Sequence, residues 1–434
     1  MSRIDDLFRR GAAVALAAAG FALAAPTAQA IPAFARQYDM SCAACHDAFP
    51  RLNAFGEHFR DSNFRLPNWR TQNTVDTQDD MLVLPKFPPL AIRAQAYVQA
   101  RQGEHVDPVS GASAADSEAD FQAPYLIKLL SSAPLSDHIT YYFYGIFAEK
   151  GGNGETLIED AWFRHDDAFG SGVGTMLGQF QLSDLMFPRE IRLTFQDFMA
   201  YRMAGITYDR GVILDRGFGP VDLALGAVNG NGITDNFTIN SPGYRRADAM
   251  FDNDTRKNVF GRVGVDVGTI MTVGVFGLAG EQKSITGLLA GTAAGTRDTD
   301  KRIYGLDLSG SIGAKTHWFV QGLWNEWDGF IDTDPSVSYK WFGGFAGVDY
   351  VRSPRWAYSL LVNYADAQDL DGSGTVYEGI NMRTVTLAAS YYFMRNVKGV
   401  IEVTGDFLAA DSDADFVGHE SKEGYVLVGF DAAF

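Results

Sequence analysis

The sequence predicts an all-β fold, a sixteen-stranded antiparallel barrel of the kind that crosses an outer membrane. Three observations predict it. Segments that alternate apolar and polar residues recur from about residue 89 to the end of the chain, the connections between them alternate long and short, and the last residue is an aromatic, Phe434. The composition agrees. Of 434 residues 46% are hydrophobic and 13% aromatic, too many for a disordered chain. Beyond residue 30, eighteen apolar residues nowhere run together, which excludes transmembrane helices from the mature chain. The formal net charge of -17 argues against a nucleic-acid partner. Two cysteines exclude a disulfide scaffold.

Residues 1–30 read as a secretory signal. Arg3, Arg9 and Arg10 supply the positive end despite Asp5 and Asp6. Gly11–Ala25 is an apolar run too short to span a bilayer, and Ala28-Gln29-Ala30 is an A-x-A cleavage site. The mature protein is expected to be exported.

Directly after the cleavage site stands Cys42-Ala43-Ala44-Cys45-His46. One helical turn separates two thiols that can add to the two vinyl groups of a haem, and the next residue brings an imidazole under the iron. C-x-x-C-H is the signature of c-type haem attachment, so one covalent haem c is expected on Cys42 and Cys45 with His46 as the axial ligand. A disulfide, a thioredoxin-like pair and a zinc site are the competing readings. No βαβ pattern surrounds the motif and no second cysteine pair completes a zinc site. For the sixth iron position His58, twelve residues on, is the candidate, because Pro50 and Gly56 let the chain fold back. Met81 is the next, and Met186 or Met199 could reach inward from the barrel wall; Met40 is badly placed. A His partner lowers the potential and a Met partner raises it.

The segments of period two run approximately over 89–102, 120–133, 137–150, 156–167, 173–181, 202–215, 219–229, 257–268, 271–282, 301–312, 315–328, 338–351, 355–368, 380–393, 397–409 and 423–434. Along one of them Trp356, Tyr358, Leu360, Val362 and Tyr364 share a face, opposite Ala357, Ser359, Leu361 and Asn363. Val385, Leu387, Ala389, Tyr391 and Phe393 repeat the pattern, as do Val426, Val428, Phe430, Ala432 and Phe434 with Asp431 opposed. Apolar-outward, polar-inward strands ending on an aromatic suit an outer-membrane barrel, and sixteen is an even number, as bacterial barrels require. Odd-to-even connections are mostly long and polar, among them 103–119, 182–201, 230–256 and 410–422. Even-to-odd ones are mostly short, as at Pro134–Ser136 and Gly313-Ala314. That places the long loops outside and both termini on the periplasmic side.

Sixteen strands leave an aqueous lumen. Residues 31–80, short helices broken by Pro50, Gly56 and Pro67, are too few to fold alone without a haem and are expected to plug it. Alternatively they hang in the periplasm on the linker near 70–88, which holds Pro85, Pro88 and Pro89. The domains are therefore 1–30, signal; 31–80, monohaem segment; 81–434, barrel. Excess acid lies in the outer loops: Asp107, Asp116, Glu118 and Asp120 in the first, Asp411, Asp413, Asp415, Glu420 and Glu423 in the last. Asp369-Leu370-Asp371-Gly372 with Glu378 imitates part of a calcium loop, but Ala367 fills the first ligand position, so calcium is not expected. No Walker motif, nucleophile elbow or H-E-x-x-H occurs.

Phe34-Ala35-Arg36-Gln37, the haem motif, Pro50, Leu52–Gly56 and Phe59-Arg60 together resemble the start of the fused monohaem cytochrome–porins of bacterial outer membranes, whose best-known branch oxidises iron(II). The resemblance covers about the first forty mature residues. It implies an outer-membrane electron-transfer protein carrying electrons between an extracellular donor, Fe(II) among them, and a soluble periplasmic cytochrome. With Fe(II), that would make it an iron(II):cytochrome oxidoreductase. The iron-oxidising branch tends to carry an aromatic after the haem His, where this chain has Asp47. The donor, and the direction of flow, therefore stay open. The competing expectation is a diffusion porin whose haem segment is structural or a gate.

Overall fold

A computed structural model describes residues 33–106, 113–147, 157–230, 256–285, 294–366, 382–394, 396–406 and 421–434. Sixteen antiparallel strands close on themselves in sequence order. They are β1 (Leu90–Val106), β2 (Ser113–Pro134), β3 (Ile139–Ile146), β4 (Leu157–His165), β5 (Gly174–Phe180), β6 (Asp209–Phe218), β7 (Val221–Val228) and β8 (Asn258–Val267). There follow β9 (Met271–Ile285), β10 (Ala294–Ile312), β11 (Thr316–Trp327), β12 (Tyr339–Ser353), β13 (Trp356–Asp366), β14 (Met382–Met394), β15 (Val397–Asp406) and β16 (Ser421–Ala433). β16 pairs with β1, Val428 opposite Val98, so the ladder has no free edge. No helix among the described residues is long and apolar enough to cross a membrane.

The alternation read from the sequence sorts side chains between two environments. Outward positions expose apolar groups, Leu225 at 65% and Val259 at 58%, while inward ones bury polar groups, Asp307 at 3% and Asn363 at 0%. In a soluble sandwich the exposed face would be the polar one; here it is the apolar one, as lipid demands. Short turns join even to odd strands. Gly219 and Gly313 stand in two of them at φ +63° and +64°, a conformation glycine adopts without strain.

Two expectations need correction. The stretch 182–201 does not extend outward as a loop. Residues 181–208, between β5 and β6, fold into the lumen and reach the opposite wall, where Phe198 stacks on Phe345 at 4.2 Å and Phe187 on Phe319 at 4.3 Å. For the same reason β6 begins at Asp209 rather than residue 202. Tyr201, Met203, Ile206 and Tyr208 are buried inside the barrel, the first two in a short helix, α5 (Met199–Met203). Met186 and Met199 accordingly belong to this inward segment and not to the wall. The signal at 1–30, the calcium-like stretch and nearly all of the acidic outer-loop residues lie outside the residues whose side chains are described.

Asp197 holds the inward segment together. Arg189 grips it with Nε to Oδ1 at 3.1 Å and with Nη2 to Oδ2, Arg202 adds 3.1 Å and Arg192 stands at 3.6 Å. Burial alone would raise the Asp197 carboxyl, but the three guanidiniums, Arg189 foremost, hold it well below the usual range. The wall is tied to the same segment. Glu402 accepts Phe195 N and Gln196 N, and Asn363 accepts Met199 N.

Replacing Asp197 by Asn strands buried cations and is expected to cost about 3–5 kcal/mol, read as a lower urea midpoint in detergent micelles and new protease cleavage between 189 and 205. A second expectation concerns pH. Burial lifts the Asp184 carboxyl to about 7, against the Arg189 amide and the charges of Arg189 and Arg60. The folded chain then keeps a proton that the unfolded chain has already released, so stability falls as pH rises from the ordinary carboxylate range towards 7. Midpoints measured between about pH 5 and pH 8 should show that slope, and Asp184→Asn should flatten it.

Candidate functional site

Residues 33–88 form four short helices, α1 (Ala33–Tyr38), α2 (Cys42–Cys45), α3 (Ala54–Asp61) and α4 (Trp69–Asn73), with two small hairpins. α2 is one turn made entirely of the Cys-Ala-Ala-Cys stretch, and His46 follows it in extended conformation. Cys42 and Cys45 stand as separate thiols, not as a disulfide. Asn53 organises what comes next. It caps α3 by accepting Gly56 N at 2.9 Å, and its side chain donates to Ala44 O at 3.1 Å, back onto the cysteine turn. α3 then passes so close to α2 that a Cβ on Gly56 would lie 2.1 Å from Cys45 O. A glycine is the residue this crossing requires.

His46 Nδ1 lies 3.1 Å from Pro50 O. A carbonyl only accepts, so Nδ1 carries the proton and the lone pair of the neutral ring sits on Nε2. Fixing the tautomer and ring orientation through the second nitrogen is how a ligating imidazole is prepared for a metal. Burial lowers the His46 pKa to about 4, against the Pro50 and Arg51 carbonyls that favour its charged form. The ring is therefore neutral near pH 7, the form that ligates. Two thiols one turn apart and an oriented neutral imidazole are a donor set that fits a c-type haem. Behind them Tyr38, Phe59 and Trp69 make a small core, with Phe34, Met40, Phe64, Leu66 and Val83 packed on it.

Of the other sequence-predicted residues, His58 stands on the exposed side of α3, and its hydrogen-bond partner is Ser62 Oγ at 3.5 Å, not a group of the motif. Met81 is 93% exposed on a loop. Met186 is buried with its sulfur accepting from Gln321 Nε2 at 3.3 Å, and Met199 lies in the luminal core.

The segment rests on the end of the barrel that carries the short turns. Asp47 bonds His317 Nε2 at 3.0 Å, Tyr392 and Lys398 both donate to Phe49 O, and Asn63 exchanges bonds with His138 O and Thr140 Oγ1. Phe64 stacks on Tyr142 and Trp162 of the wall at 5.7 and 6.3 Å. Basic groups of the segment meet acids of the rim, Arg65 with Asp166, Arg70 with Asp137 at 2.9 Å, Arg51 with Asp349 at 3.7 Å. Arg51 also lies over the ring of Phe187 at 5.4 Å, joining the N-terminal segment to the inward one. Sequence reading found the motif but missed these docking residues. Asp47, which breaks the aromatic pattern after the haem His, proves to be one of them.

No protein family and no curated protein matches the chain. Solved structures do. The outer membrane channel DcaP of Acinetobacter baumannii is similar at a TM-score of 0.52 and 11% identity, over 80% of this chain and 97% of that one. OmpF of Salmonella typhi is similar at 0.50 and 11% identity, again over 80% and 97%. This is a porin-like outer-membrane barrel. The apolar belt around the porin-like wall and the polar lumen follow from that setting.

Gly56→Ala is expected to push α3 off the cysteine turn. Haem staining of the denatured protein, set against the amount of folded barrel, should show covalent haem lost while the barrel persists; Ala54→Gly nearby should leave staining unchanged.

Proposed function

We propose that this porin-like barrel is an electron-transfer protein of the outer membrane, moving electrons between an extracellular donor, with Fe(II) the first to test, and a soluble periplasmic cytochrome. The observation that carries the reading is the Cys42–His46 motif with its imidazole oriented by Pro50 O and docked at the short-turn mouth. A c-type haem bound at Cys42, Cys45 and His46 would supply one-electron chemistry there. The chain's own residues do the rest. Asn53 and Gly56 set the cysteine turn, Pro50 fixes the imidazole, and Asp47, Phe49 and Arg51 fasten the segment to the wall. The 31–80 segment closes the mouth and the 181–208 segment fills the lumen behind it, which favours a barrel shut to free diffusion over an open pore.

A second reading is a diffusion porin in which the haem segment is structural or a gate. What supports it is the barrel itself, sixteen strands of the architecture seen in DcaP and OmpF. Its gate would be the charged seam of Arg65, Arg70 and Arg51 on the rim acids.

The haem-loaded protein mixed anaerobically with Fe(II) in a stopped-flow spectrometer is expected to develop reduced haem bands rapidly. No reduction by Fe(II), in protein that dithionite still reduces, removes iron as donor. In planar bilayers the conduit reading expects little ion current, and Arg65→Gln with Arg70→Gln should leave it low. Large, stable conductance in the intact protein overturns the conduit and establishes the porin.

A further inference from the structure

Between the inward segment and the β1–β2 wall lies a small cavity lined by Arg93, Lys128, Arg192, Glu190, Tyr125 and Phe195, among others. Three cations converge there on one carboxylate. Glu190 Oε2 is 3.3 Å from Lys128 Nζ and 3.8 Å from Arg93 Nη1, and Arg192 also faces it. Each cation has another acid behind it: Asp431 takes Arg93 through two bonds, Glu159 takes Lys128 at 2.7 Å, and Asp197 stands 3.6 Å from Arg192. Glu190 differs from these acids in kind. Asp431, Glu159 and Asp197 are almost wholly buried, whereas Glu190 is 25% exposed and rides on a single 3-10 turn, Arg189–Ile191, of the inward segment. Burial works to raise its carboxyl, and Lys128, Arg192 and Arg93 overcome that and hold it ionised below the usual value.

One buried donor of the cavity lining has no acceptor, Arg192 Nε. An unmet buried donor is costly, so the site is short of an acceptor. The wall opposite the charges is aromatic, Tyr125 against Phe195 at 4.9 Å and Tyr97 against both at 5.4–5.5 Å.

We propose that this cavity is a carboxylate-binding site in which Glu190 is a tethered occupant, displaced when a carboxylate carried by another molecule enters. Arg93, Lys128 and Arg192 bind the entering group, Arg192 Nε gains the acceptor it lacks, and the tyrosine and phenylalanine rings cover its apolar part. Two molecules carry that chemistry to this place. One is a soluble organic acid from the surrounding solution. The other is the haem itself, through its two propionates: Phe49 connects the cavity to the motif, its ring 5.2 Å from that of His46 and 5.5 Å from the Arg93 guanidinium. The site rests on luminal geometry and stands whether or not electrons pass.

The test uses the full chain in detergent, haem-loaded and in a haem-free form made with Cys42→Ala and Cys45→Ala, titrated calorimetrically with succinate. Glu190→Gln keeps the turn and removes the competing charge, and is expected to tighten succinate binding about tenfold or more. Arg192→Gln in that background should reverse the gain, with far-UV circular dichroism checking that the barrel is intact. Binding by the haem-loaded chain assigns the site to a soluble carboxylate. Binding confined to the haem-free chain assigns it to the propionates. If Glu190→Gln binds succinate in neither form, or no more tightly than the unaltered chain, the proposal is overturned.

Discussion

Everything here depends on the requirement that a chain in hydrocarbon pair all its backbone groups internally. A sheet meets that requirement only by closing, and closure of sixteen strands fixes a lumen wider than the wall's own side chains fill. β16 against β1 is therefore the decisive pairing. It abolishes the edges and at the same time creates a polar interior that something must occupy. Residues 181–208, let in between β5 and β6, enter it from one end, and the N-terminal segment rests on the short turns at the other. They meet where Arg51 lies over Phe187.

The lumen is filled mainly by charge, and the fillings are organised around acids that take several partners at once. Asp197 takes three arginines, and Asp431 takes Arg93 and Lys398. Such pairs contribute little net stability once desolvation is counted, but they punish any other arrangement, because a displaced partner leaves a buried charge behind. That is how a segment of some thirty residues can be held in one conformation across a wide barrel. The aromatic stacks of Phe198 on Phe345 and Phe187 on Phe319 supply the apolar contact that the charges do not.

Most of the barrel was legible in the sequence because lipid reverses the usual rule and period two survives on many of the strands. Trp356–Tyr364 and Val385–Phe393 alternate as read, and Asp431 points inward. What misled was the inward segment. Residues 202–208 fall in a stretch that the sequence assigns to a strand, and only tertiary packing shows that they lie inside, where the adjoining Tyr201 meets Phe345 and Phe198. At the site the reach of the sequence was similar. The spacing Cys42–Cys45–His46 is local and therefore visible; Pro50 and Gly56 were visible only as chain breakers, and their roles come from one hydrogen bond and one close approach in the structure. The docking pairs join residues hundreds of positions apart, Asp47 to His317 and Phe49 to Lys398, and no local pattern announces them.

The position of the motif constrains how an electron path could be built. The apolar band of such a barrel is about 25 Å tall, and His46 lies at its short-turn end. A soluble periplasmic partner would approach from that side, where Phe55 and the exposed face of α3 stand clear of the wall. An extracellular donor would face the far mouth, beyond the Asp197 network and the stacked phenylalanines. A conduit therefore needs either a donor small enough to descend the lumen or a second redox group above the inward segment. A dissolved metal ion meets the first condition and a mineral surface does not.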